Sequence, residues 1–146
     1  MPLPIHLCSQ MKSDSIDFGL LDTSVVVDLN EISKGQLPHS SCISALTLAE
    51  LSAGLAIAKE PNVRLVRQFH LQLVEASLEL LPFDSQCARM YAHVVAAVQS
   101  SGRKARGARA VDLMIAATAM AHRLPLYTRN AADLKGCEKL VQIIAV

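Results

Sequence analysis

The sequence predicts an α/β sandwich built on a mostly parallel sheet. Three features lead there: short apolar runs recur along the chain, helical periodicities separate them, and acids close or follow several of the runs. Strands and helices that alternate in this way favour parallel pairing with helices laid over the sheet. The chain has 146 residues and 51% hydrophobic content, enough for one domain with a substantial core.

Residues 1–18 mix Pro, Ser, Lys and Asp without a period and read as a loosely ordered leader, which leaves 19–146 as the domain proper. Met11 is a second candidate start, and the leader lacks the basic and apolar regions of a secretory signal. The apolar run at Leu20 and Leu21 predicts a first strand over 19–22, then a short helix over 23–29. Gly35 and Pro38 make 30–41 a loop. A brief strand over 42–44 precedes a helix over 46–59, with Leu48, Leu51 and Leu55 as its apolar stripe. Glu50 stands off that stripe. Pro61 opens the next helix, with Val66, Phe69 and Leu73 expected to face inward. A third strand over 78–83 follows, and Asp84 caps a helix whose buried face is Cys87, Tyr91, Val94 and Val98. Residues 100–108 form a basic, glycine-containing connection. The helix over 110–122 is apolar nearly all round, which predicts burial on most sides. A strand over 125–128, a loop or helical turn over 129–136 and a final strand over 140–146 complete the chain.

Composition excludes several classes. No apolar run approaches the roughly 18 residues of a membrane span; the longest, from Leu113 to Ala121, is broken by Thr118. Cys8, Cys42, Cys87 and Cys137 are scattered without metal-ligand spacing, so zinc is not expected. They read as the free thiols of a cytoplasmic protein. Aromatics make up 3% of residues and Trp is absent, which argues against base-stacking platforms. His39, His70, His93 and His122 pair with no Ser or Cys at a motif spacing, and Gly102 and Gly107 lack the Lys-Ser/Thr of a phosphate loop.

The chemistry lies in the acids. Asp22 closes the first strand, Glu50 lies in Leu48-Ala-Glu-Leu51, and Asp112 lies in Ala110-Val-Asp-Leu-Met-Ile115. Each has a plain structural reading. Asp22 could cap a turn, Glu50 could be a solvated helix residue, and Asp112 could be a first-turn acid favoured by the helix dipole. Asp133, after Asn-Ala-Ala, could be an ordinary loop residue. In an open parallel sheet, however, the crevice lies at the carboxyl ends of the strands, at the switch in strand order. Asp22, Asn130 and Asp133 follow strands there, and Glu50 and Asp112 sit in or near the first turns of helices that could start at that edge. Carboxylates gathered without cations repel one another, and a divalent cation with oxygen ligands, Mg²⁺ or Mn²⁺, resolves the repulsion.

Four segments resemble the signature segments of PIN-domain ribonucleases: Leu20-Leu-Asp-Thr-Ser24, Ala45-Leu-Thr-Leu-Ala-Glu-Leu51 with Gly54 after it, Asp112-Leu-Met-Ile-Ala-Ala-Thr-Ala119, and Thr128-Arg-Asn-Ala-Ala-Asp133. Their order is closest to the VapC toxins of bacterial toxin–antitoxin pairs, and the resemblance covers all but the leader. It implies a PIN-like three-layer sandwich with about five parallel strands and Mg²⁺- or Mn²⁺-dependent endonuclease cleavage of RNA. It also implies a homodimer and inhibition by a VapB-type antitoxin. Carried over by position, Asp22, Glu50 and Asp112 are the acidic core and metal ligands, and Asp133 completes the catalytic quartet through water. Thr23 or Ser24 is expected to hydrogen-bond Asp22, while Thr128 and Asn130 position the crevice from beneath. The first acid lies farther from the start than is usual in the family.

The run Arg103-Lys104-Ala-Arg106-Gly-Ala-Arg109 carries four positive charges and no acid. As a bland reading it is a solvated loop. Beside an acidic centre, Arg103, Lys104 and Arg106 become candidates to hold the RNA backbone, and Arg109 to neutralise an acid in the resting site. Two other classes compete with the nuclease. A receiver-like phosphoacceptor at Asp22 would need a nearby Lys, for which Lys135 is a poor fit, and a catalytically silent PIN-like binding module would not need all four acids.

Overall fold

The computed structural model describes residues 17–146. Five strands form one parallel sheet: β1 Phe18–Leu21, β2 Ser40–Ser44, β3 Glu79–Leu81, β4 Leu126–Thr128 and β5 Ile143–Ala145, in the order β3-β2-β1-β4-β5. Five helices connect them: α1 Thr23–Val27, α2 Ala45–Ala56, α3 Pro61–Ser77, α4 Ser85–Ser100 and α5 Arg109–His122. Short 3₁₀ turns occupy Leu29–Glu31, Lys34–Gln36 and Ala131–Leu134. The chain moves outward from β1 to β3, then returns across the sheet to place β4 on the other side of β1. That reversal sets the crevice between the carboxyl ends of β1 and β4.

The alternating faces of the strands build two cores. Leu20, Cys42, Leu81 and Leu126 pack with Val94 and Val98 of α4 and with Leu113, Ile115 and Ala116 of α5 on one side. On the other, Leu21, Ile43 and Tyr127 meet Val25 and Val26 of α1 and Val74 of α3. The strand–strand approach is close at Gly19, where an added Cβ would run into the Tyr127 ring, so no larger residue fits without displacing that ring.

The predicted sandwich is the observed one, with shifts at the ends of elements. Phe18 already pairs with Ser40, so the first strand begins inside the stretch assigned to the leader; the rest of that leader, residues 1–16, lies outside the described residues. Asp22 is not in the strand but caps α1, accepting from the Val25 N–H at 3.3 Å. α2 ends at Ala56, and its fully buried residue is Thr47, not the Leu48, Leu51 and Leu55 stripe, which is half-buried. The larger difference is in α3. Val66, Phe69 and Leu73 point to solvent, with Val66 67% and Phe69 63% exposed, and Val74 faces the core. Asp84 caps α4 as expected, accepting from Cys87 N–H at 3.0 Å, and Cys87, Val94 and Val98 are buried.

Candidate active site

Asp22 stands at the switch point because its backbone continues the β1–β4 pairing: its N–H donates to the Tyr127 carbonyl at 3.0 Å. Its side chain is 6% exposed. A carboxylate so placed needs donors, and it has two hydroxyls. Ser24 Oγ donates to Oδ1, and Thr128 Oγ1 donates to Oδ2 at 2.5 Å. Each hydroxyl in turn accepts a backbone N–H, Ser24 from Arg129 at 3.0 Å and Thr128 from Asn130 at 2.9 Å. Of the pair Thr23 and Ser24, Ser24 therefore serves Asp22. Asn130 acts through its backbone.

Thr23 serves the second acid. Its hydroxyl donates to Glu50 Oε2 and lies 3.1 Å from the hydroxyl of Thr47. Glu50 is in the second turn of α2, deeper than expected, and its reach to Thr23 brings it toward the crevice. Thr47 was missed by sequence reading, although its i, i+3 spacing with Glu50 places both on one helix face. Asp112 lies in the first turn of α5. Burial first, then repulsion from Asp22, Glu50 and Asp133, pushes its carboxyl up to about 6. Asp133 lies in the 3₁₀ turn after β4, whose start is closed by Asp133 N–H donating to the Asn130 carbonyl at 2.9 Å. Four acids from four segments thus share one electrostatic field.

None of these four acids is in an ion pair among the described residues. Among the described residues the ion pairs are those of Arg129 with Asp28 and Glu31. Arg109 lines a basic cavity with Arg103, Lys104 and Arg106 and pairs with no acid there. Also among the described residues, no three His, Cys, Asp or Glu side chains stand close enough together to hold a metal ion as they are placed. Like charges without a counter-ion repel, and that repulsion, added to burial, is what raises Asp112. The donor set is oxygen throughout and suits a hard divalent ion.

Lys135, the residue a phosphoacceptor reading would need beside Asp22, is exposed after the 3₁₀ turn. The profile of the PIN domain matches residues 19–135, which contain all four acids. This chain belongs to the PIN-domain family. Within it, the chain is 35% identical over 133 residues to Ribonuclease VapC5 of Mycobacterium tuberculosis, covering 88% of this chain and 95% of that protein. It is 32% identical over 128 residues to VapC ribonuclease Y4jK of Sinorhizobium fredii, covering 80% and 89%. The crystal structure of a VapBC-family member, VapBC-5 from M. tuberculosis, superposes with a TM-score of 0.72 at 33% identity, over 90% of this chain and 100% of that one. Among PIN domains, therefore, this one groups with the VapC ribonucleases.

The basic connection differs in one respect from the sequence expectation. Arg103 Nη1 donates to the Ala132 carbonyl at 2.7 Å, so it braces the turn that carries Asp133. Lys104 and Arg106 are exposed beside it, in a cavity of about 490 Å³.

Proposed function

We propose that this chain is a Mg²⁺- or Mn²⁺-dependent endoribonuclease, the toxin of a VapBC-type pair, acting in the cytoplasm. What supports the reading is that Asp22, Glu50 and Asp133, from separate segments, all act on the Asp112 carboxyl, with no ion pair to any of the four among the described residues. Asp22, Asp112 and Glu50 hold the ion, and Asp133 orients the attacking water. When bound, the ion supplies Lewis-acid stabilisation of phosphate charge and eases deprotonation of water. Ser24 and Thr128 keep the Asp22 carboxylate aimed, each through a hydroxyl that donates to one of its oxygens. Lys104 and Arg106 guide the RNA backbone past the acids.

The partner reading draws on α3. Val63, Val66, Phe69 and Leu73 recur at helical spacing and are all exposed, with Ile57 exposed at the end of α2. A contiguous apolar face of this kind marks an interaction surface. We assign it to an apolar helical segment of a VapB-type antitoxin. A homodimer belongs to the same reading. No helix among the described residues is long and apolar enough to cross a membrane, and none is invoked.

Incubating the purified chain with a mixed RNA pool in Mg²⁺, Mn²⁺ and EDTA tests the activity. Cuts that need metal and vanish in Asp22→Asn and Asp112→Asn support the proposal. Metal-independent cuts, or cuts that survive both substitutions, reject it.

A further inference from the structure

We infer that Arg129 is a positioning residue for the acid cluster, fastening from outside the two hydroxyls that hold Asp22. The inference rests on the metal-site reading above and adds a residue to it. Ser and Thr hydroxyls carry a single rotatable proton, and nothing in the side chain itself directs that proton at Asp22. Direction comes when another donor occupies a lone pair. At Ser24 that donor is the Arg129 N–H, and at Thr128 it is the Asn130 N–H. Both relays to Asp22 therefore begin at two successive backbone amides in the exposed loop after β4.

An exposed loop does not hold two amides in register by itself. Here the Arg129 side chain supplies an anchor. Its Nη1 lies 2.8 Å from Asp28 Oδ2 and 3.3 Å from Glu31 Oε2, acids 101 and 98 residues away that follow α1. Arg129 thus grips the 22–31 segment at both ends, through its N–H near Asp22 and through its guanidinium beyond α1. The ion pairs are partly exposed, so their contribution to stability is small. Their consequence is geometric: groups behind metal ligands commonly change metal affinity by about 10- to 100-fold when removed.

For Arg129→Ala charge alone makes the opposite forecast, and that variant separates the two. Arg129→Ala removes a positive charge near the acids, which by field effect tightens cation binding. Asp28→Asn with Glu31→Gln removes two negative charges, which by field effect weakens it. The clasp predicts that both sets weaken Mn²⁺ binding, by roughly 10-fold or more, and that Arg129→Lys recovers part of the loss. It also predicts faster hydrogen–deuterium exchange at the amides of Arg129 and Asn130 in the metal-free protein of both sets, with little change in melting temperature. Calorimetric Mn²⁺ titration and exchange mass spectrometry read these on the full chain. Mn²⁺ affinity that is unchanged or tighter in Arg129→Ala overturns the inference. Unchanged exchange at the two amides overturns it as well. If the wild-type chain binds no Mn²⁺, the metal reading fails, and the exchange result alone decides the clasp.

Discussion

Thr128 donates its hydroxyl to Asp22 Oδ2 at 2.5 Å, joining positions 106 residues apart at the ends of β4 and β1. The hydrogen bond converts a strand pairing into a site, because the register that sets β4 beside β1 also delivers the donor. Thr128→Val keeps the shape and removes the proton. It should cost roughly 1–3 kcal/mol in chemical denaturation, the penalty for a buried acceptor left without its partner. RNA cleavage should fall with it. Wild-type stability in this variant would show that the hydrogen bond does not hold Asp22.

Asp112 makes the metal-free protein pH-sensitive. Burial, with repulsion from Asp22, Glu50 and Asp133, raises its folded carboxyl to about 6, against an ordinary value of 3.8. Between those values the folded chain binds the proton and the unfolded chain releases it. Stability therefore falls as pH rises through that window, and the loss remains at higher pH. Thermal melts in EDTA should show this decline, and Asp112→Asn should remove its share of it. Because the cation and the proton compete for this carboxylate, Mn²⁺ affinity should rise across the same window.

The basic connection should separate into two kinds of residue. Lys104→Glu with Arg106→Glu should weaken RNA binding and flatten its salt dependence, by about 0.7 in log–log slope for each phosphate that is no longer neutralised. Folding should be unaffected. Arg103→Ala should instead lower the cleavage rate of bound RNA, since it frees the Ala132 carbonyl and the turn carrying Asp133. Filter binding across a salt series, set beside single-turnover cleavage, distinguishes the two.

The strands and the acid segments were legible in the sequence because each is a local signal: an apolar run, then an acid. α3 was not. Its apolar residues fall on two faces, one through Val63, Val66, Phe69 and Leu73 and the other through Leu71 and Val74. Periodicity identifies an apolar stripe but not whether core or partner covers it. Asp22 was read as either a cap or a catalytic acid; it is a cap, with Oδ1 accepting from Val25 N–H, and its charge also reaches Asp112. Arg129 lay inside the fourth signature segment, but its ion pairs left no trace in the sequence: their partners are about a hundred residues away, and only the finished sheet brings them together.

The exposed face of α3 gives a prediction that leaves the fold alone. Val66→Asp with Phe69→Asp should change stability by no more than about 0.5 kcal/mol, because neither side chain is in the core. Capture of the antitoxin should drop sharply. Co-purification of the pair, with and without the substitutions, measures it; undiminished capture would assign that face to something else.

The most direct test of the central claim is calorimetric titration of Mn²⁺ into chelator-stripped protein near neutral pH. The four-acid crevice predicts saturable binding in the wild type that is lost in the Asp22→Asn, Asp112→Asn double variant while both proteins stay folded. Equal binding in the two, or none in either, would contradict it.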